Sequence, residues 1–169
     1  NYASWTPKAI KRNAKLRANS KTLSAMKMTI LSLDNIPLAE KESIDMVLTF
    51  RNLHNWLGPE MDSIFGNSFR ALKPGGSFGV VEHRAKPGTD FETMKTSGYV
   101  PEDHAIEVAL KHGFELVEKS EINANPKDTK DYPKGVWTLP PRLRLDDVDR
   151  DKYKSIGESD RMTLLFRKP

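Results

Sequence analysis

The sequence predicts an α/β fold with a mainly parallel sheet and an antiparallel last strand, on three observations. Strand-length apolar runs alternate with stretches of helical period, the pattern of βα units. One run, Ile44–Phe50 (IDMVLTF), is apolar at nearly every position, as in a strand buried on both faces of a parallel sheet. The last two strand-like runs are joined by a long polar stretch without helical period, which favours an antiparallel closing strand.

The elements follow in order. Thr6-Pro7 reads as an N-cap with proline at the first helical position, opening a helix to about Ala18. Residues 28–33 (MTILSL) have strand composition and end at Asp34, and Ile36-Pro37-Leu38 makes a loop. After Ile44–Phe50, Pro59 opens a helix in which Met61, Ile64, Phe65, Phe69 and Leu72 share one face. Residues 73–76 (KPGG) stop it, because proline cannot continue a helix and glycine tolerates positive φ. Residues 77–82 (SFGVVE) form a strand. Pro101 starts a helix with Ile106, Ala109 and Leu110 turned inward and Gly113 as its cap. Residues 114–119 form a strand, and 123–147 are a polar, proline-rich insertion. Arg161–Arg167 is the closing strand. The expected organisation is one domain, 1–169, with 123–147 as a loop insertion inside it.

A chain of 169 residues with 37% hydrophobic and 30% charged residues is of soluble, globular composition. No apolar run approaches the roughly 20 residues of a membrane span. There is no cysteine, hence no disulfide and no thiolate metal ligand, which is compatible with a cytoplasmic location. The chain starts at Asn1, so a processed or partial sequence is expected. Net charge is +4, and no acid precedes Asp34, whereas Lys8, Lys11, Arg12, Lys15, Arg17, Lys21 and Lys27 all do. Such an arm raises nucleic-acid binding. It has few aromatics to stack on bases and no recognition signature, so the reading preferred is a solvated helix face.

Several chemistries have no motif here. There is no Gly-x-Gly-x-x-Gly after a strand, no Walker loop, no His-Glu-x-x-His and no Gly-x-Ser-x-Gly. His54, His83, His104 and His112 are scattered, and no metal site is predicted. In open α/β sheets ligands bind beyond the carboxyl ends of the strands. Three tips qualify: Asp34-Asn35, the run from Arg51 to Trp56, and Glu82-His83-Arg84. The last two are dense in polar groups directly after apolar strands and together favour a site.

At these residues the sequence resembles a family. FRNLHNW, a helix, FRALKPGG and the strand SFGVVEHRA look like the second half of class I methyltransferases, with the Lys-Pro-Gly-Gly turn as a marker before the fifth strand. Arg51-Asn52 is similar to the same point in quinone C-methyltransferases. The insertion NANPKDTKDYPKGVWTLPP and the later GESDRM are similar to a family of bacterial predicted methyltransferases. The resemblance covers essentially the whole chain.

It implies the C-terminal part of a Rossmann-like class I sheet, with S-adenosylmethionine as cofactor. Residues 7–18 would be the helix after strand two and 28–33 strand three. Strand one and its glycine loop would lie upstream of Asn1, so the chain alone is expected to bind the cofactor weakly. Ile44–Phe50 would then be left with an open edge, inviting rearrangement or pairing with another chain as a homo-oligomer. Asp34 would lie near the adenine, and Phe50, Arg51 and Asn52 would line the methionine side. His54, Glu82, His83 and Arg84 would face a small-molecule substrate. His54 or His83 would act as base, and Arg84 would hold an anionic acceptor. Independently of the resemblance, the length of the insertion in a compact domain predicts that it covers the substrate side, with apolar contact from Trp137, Leu139 and Leu143 and charge from Arg142 and Arg144. Two other readings stay open: a non-catalytic α/β binding module, and an RNA methyltransferase using the basic arm.

Overall fold

The structure, a computed structural model, describes residues 14, 15, 18–25 and 37–169. The chain divides into two compact units, Asn1–Leu38 and Ala39–Pro169. In the first, the one described helix of named extent is a single turn, Lys21–Ser24. The expected helix at 7–18 lies largely, and the strand at 28–33 entirely, outside the described residues, as does Asp34. Among the described residues no helix is long and apolar enough to cross a membrane.

The second unit holds a four-stranded sheet. Its strands are β1 (Ile44–Phe50), β2 (Leu72–His83), β3 (Glu115–Ser120) and β4 (Arg161–Arg167), in the spatial order β1-β2-β4-β3. β1 and β2 are parallel, with Met46 opposite Ser77 and Phe50 opposite Val81. β4 lies antiparallel between β2 and β3. Three strands therefore run one way and the last runs against them, and β1 and β3 are the edges of the described sheet. Met46, Leu48 and Phe50 on β1 are each about half exposed.

Helix α1 (Pro59–Ala71) starts with Pro59 in its first turn, carries Glu60 and Asp62 near its N-terminus and Arg70 near its C-terminus, as the helix dipole favours. Met61, Phe65 and Ser68 recur at helical spacing and are buried. The helix ends earlier than the proline alone would require. Leu72 is already extended, and β2 starts there rather than at Ser77. Residues 73–76 are a bulge in β2, marked by a register jump between Ile44 and Met46. Backbone bonds tie it to the C-terminus: Gly75 N–H to the Lys168 carbonyl at 2.8 Å and Lys168 N–H to the Gly76 carbonyl at 2.9 Å. A Cβ on Gly76 would meet the carbonyl oxygens of Lys73 and Asp45 at 2.9 and 3.1 Å, so the position accepts no side chain without movement.

Two helices appear that the hydrophobic period does not announce. α2 (Phe91–Ser97) is capped by Asp90, which accepts from Thr93 N–H at 3.0 Å, and ends at Gly98. α4 (Arg150–Ile156) lies in the polar stretch before β4. Between them α3 (Glu102–Lys111) buries Ala105 and Ala109 and only part of Ile106. Leu110 is not turned inward as the sequence suggests: it is 52% exposed. The core lies between α1, α3 and one sheet face. Its centre is an aromatic cluster in which Phe78 lies 5.0 Å from Phe65 and 5.2 Å from Phe114, ring centre to ring centre.

Candidate functional site

Because β1 and β2 are parallel and β4 runs against them, the carboxyl ends of the first two and the start of β4 share one edge. A cavity of about 700 Å³ opens there. Its floor comes from Phe50, Arg51, Asn52 and His54 after β1 and from His83 at the end of β2. Glu158 and Ser159, just before β4, close one side. The insertion supplies the rest of the lining: Val136, Trp137, Pro140, Pro141, Arg142 and Arg144, with the Trp137 ring edge-on to His54 at 5.9 Å between centres.

Glu82 sits beneath this floor, fully buried. One carboxylate oxygen accepts from His54 Nδ1 at 3.0 Å and from the His83 N–H at 2.8 Å, and the other from the His54 N–H at 3.3 Å. A carboxylate only accepts, so this pairing puts the His54 proton on Nδ1 and leaves Nε2 as an acceptor. His83 has a different environment. Its Nδ1 is 2.5 Å from Ser159 Oγ. Burial first, then the charges of His54, Arg51 and Arg161, push its pKa down to about 3, so it stays neutral. The two imidazoles lie with centres 5.5 Å apart and planes tilted by 42°. Ligand-type atoms of His54, Glu82 and His83 lie within 4.8 Å of one another, close enough to hold a metal ion, although the hydrogen bonds above engage all three residues.

Arg84 is not at the cavity, contrary to the expectation that it holds an acceptor. The pleat turns it to the other side of β2, where carboxylates occupy its guanidinium. Nε and Nη2 fork onto Asp160 at 3.1 and 2.9 Å, and Nη1 and Nη2 fork onto Glu121 at 2.8 and 2.6 Å. Nη1 also reaches Glu102 at 3.4 Å. Glu82 is likewise corrected from a substrate-facing group to a support under His54, because alternation along β2 directs it into the protein.

The insertion is a built wall rather than a free loop. Val136, with partly buried Trp137, packs on Ala85 and Tyr99 as a second small core, and Thr138 and Leu139 are fully buried. Leu139 therefore does not face the cavity. Gly135, at φ +54, lets the short turn Gly135–Thr138 press on the end of α2: a Cβ there would stand 2.1 Å from the Ser97 carbonyl oxygen. Buried Asp128 accepts from Tyr99 Oη at 3.0 Å and from Asp160 N–H at 2.7 Å. Asn125 Nδ2 donates to the Ile156 and Glu158 carbonyls at 2.9 and 2.6 Å. These bonds set Glu158-Ser159 beside His83.

Of the site residues expected from sequence, Phe50, Arg51, Asn52, His54 and His83 come together around the cavity, and Asp34 lies outside the described residues. Sequence reasoning missed Ser159, Tyr99, Asp128 and Asp160 as partners. The Glu-Ser-Asp run before β4 was visible as a motif, but nothing local says which strand end it meets.

Residues 5–80 match the family model described as a methyltransferase domain. No curated protein matches the chain by sequence. Among solved structures, the chain is similar to the cyclase SpnF, at 17% identity and TM-score 0.56, covering 94% of this chain and 60% of that one. It is similar to a Galdieria sulphuraria protein assigned as a sarcosine dimethylglycine methyltransferase, at 15% identity and TM-score 0.63, covering 96% and 66%. It is also similar to an S-adenosylmethionine-dependent methyltransferase of Methanosarcina mazei, at 15% identity and TM-score 0.58, covering 93% and 76%. The chain thus spans less than two thirds of the length of the first two. The donors at the tip of β1 fit that cofactor: an aromatic ring, a guanidinium and an amide suit a ligand with apolar, anionic and amine parts. The cavity also falls in the roughly 300–1,000 Å³ range of small-molecule sites. Residues 5–80 therefore match a methyltransferase domain, and the chain shares its fold with solved S-adenosylmethionine-dependent methyltransferases.

Proposed function

We propose that this protein transfers a methyl group from S-adenosylmethionine to a small-molecule acceptor bound in the cavity at the ends of β1 and β2. The same fold serves a cyclase, so the fold alone does not carry the reaction. The observation that carries it is the His54–Glu82 pair at the edge where open α/β sheets bind ligands. Bound against Phe50, Arg51 and Asn52, the cofactor supplies an electrophilic methyl group.

The chain's own residues do the rest. Arg51 pairs with a carboxylate at the cofactor's amino-acid end, and Asn52 orients its polar groups. His54 Nε2 accepts the proton that the acceptor loses, and Glu82, holding Nδ1, fixes the tautomer and steadies the imidazolium formed. His83 hydrogen-bonds without titrating, because its proton affinity is too low for a base near neutrality. Val136, Trp137, Pro140 and Pro141 exclude water, so that placement contributes to the rate.

The test uses the full-length protein. Calorimetric titration with S-adenosylmethionine should show saturable binding. Glu82→Gln should lower kcat about 100-fold while leaving cofactor affinity within about twofold, as loss of proton-transfer assistance does. Absence of cofactor binding, or an unchanged kcat in Glu82→Gln, removes the proposal.

A further inference from the structure

The cavity is lopsided in charge. Its lining includes three guanidiniums, Arg51, Arg142 and Arg144, and one carboxylate, Glu158. Glu158 is already engaged by Arg161 at 2.8 Å. None of Arg51, Arg142 and Arg144 has a carboxylate partner among the described residues. Elsewhere Arg84, Arg161 and Arg167 each have at least one. His83, being neutral, adds no further positive charge. Three like charges in one concavity repel one another, and an anion entering it relieves that repulsion.

The arrangement is also held in shape. Arg144 stacks on Trp137, its guanidinium carbon 4.8 Å from the ring centre, and its N–H donates to the Trp137 carbonyl at 2.9 Å. Stacking leaves the edge of the planar guanidinium, where its donors lie, free to fork onto an oxyanion. Val136, Pro140 and Pro141 supply apolar surface next to it.

We infer that the substrate side of this cavity takes a molecule with an apolar body and an anionic oxygen group, carboxylate or phosphate, gripped by Arg142 and Arg144. This rests on the methyl-transfer reading of the site, in which Arg51 serves the cofactor. It moves the anion-binding role that the sequence suggested for Arg84 to two arginines on the insertion that line the same cavity as His54.

The experiment measures binding to the full-length protein by calorimetry, with benzoate and phenyl phosphate as anionic probes and benzyl alcohol as the neutral control. Both anions, or one of them, should bind at least about tenfold more tightly than benzyl alcohol, and the stronger of the two names the oxyanion. Arg142→Gln with Arg144→Gln should weaken anion binding at least about tenfold while leaving benzyl alcohol within about twofold. Both side chains are at the surface, and an unchanged melting temperature verifies that the double variant folds. Anions binding no better than benzyl alcohol, or equally well to the double variant, overturns the inference. A parallel titration with S-adenosylmethionine separates the two readings. Its failure with anion binding intact removes methyl transfer and leaves the anion site, whereas cofactor binding without anion preference does the reverse.

Discussion

Replacing Arg84 with methionine tests whether this residue is a structural clamp. The side chain is 19% exposed and forks onto Asp160, 7% exposed, and Glu121, 65% exposed. The Glu121 pair is exposed enough to contribute little, at most about 1 kcal/mol. The Asp160 pair is the substantial one. Burial pushes the Asp160 carboxyl up, but hydrogen bonds from Arg84, Lys130 and the Asn125 N–H outweigh it and hold the pKa at about 2 instead of 3.8. That difference corresponds to about 2 kcal/mol of stability at neutral pH. Lys130, 2.7 Å from Asp160, retains part of it in the variant. That figure already contains the hydrogen bonds from Arg84, so with Glu121 added Arg84→Met should cost about 1–2 kcal/mol. For a chain of this size that lowers the melting temperature by about 2–8 °C.

The pH dependence supplies a second check. A carboxyl whose folded pKa lies below its unfolded value stabilises above the unfolded value and loses that contribution as pH falls through the folded one. The gap between wild type and variant should therefore be full at pH 7 and shrink between about pH 4 and pH 2, where Asp160 takes up its proton. Thermal unfolding followed by circular dichroism reads both. Arg167→Met is the control, since Arg167 and Glu115 are both more than half exposed and should matter by less than about 1 kcal/mol. If Arg84→Met melts within a degree of wild type at pH 7, or the gap persists undiminished under acid, the clamp assignment is wrong.

Two further outcomes follow. His83 is neutral in the fold with a pKa near 3, below its unfolded 6.5, so acid favours the unfolded chain: stability should fall by about 1 kcal/mol per pH unit from about pH 6 to pH 4. His83→Phe should flatten that slope in urea titrations, and an unaltered slope would assign the acid sensitivity elsewhere. Gly135→Ala should cost at least about 2 kcal/mol, because its Cβ would collide with the Ser97 backbone at φ +54. Gly88→Ala, at φ +73 with nothing within 4 Å, should cost only about 1 kcal/mol; equal melting temperatures for the two variants would contradict the packing of the insertion on α2.

What the sequence determined by itself was local and periodic. Ile44–Phe50 and Arg161–Arg167 were legible to the residue, because a run of strand-favouring apolar residues bounded by charges and turn formers has one reading. The helix from Pro59 and the polar tips after two apolar strands were legible too, since proline, glycine and apolar period act over a few residues. The short helices Phe91–Ser97 and Arg150–Ile156 were not, as two turns carry too little amphipathic signal.

Only the tertiary structure decided which polar groups meet. The pleat of β2 sends Glu82 inward, His83 to the cavity and Arg84 to a carboxylate network, a choice that turns on strand register. His54 acquires its partner 28 residues away and His83 its partner 76 residues away. The insertion becomes a wall because Tyr99, Asp128 and Asp160 bond across long loops. Contacts of that range depend on how strands order themselves in a sheet, and no local pattern encodes that order.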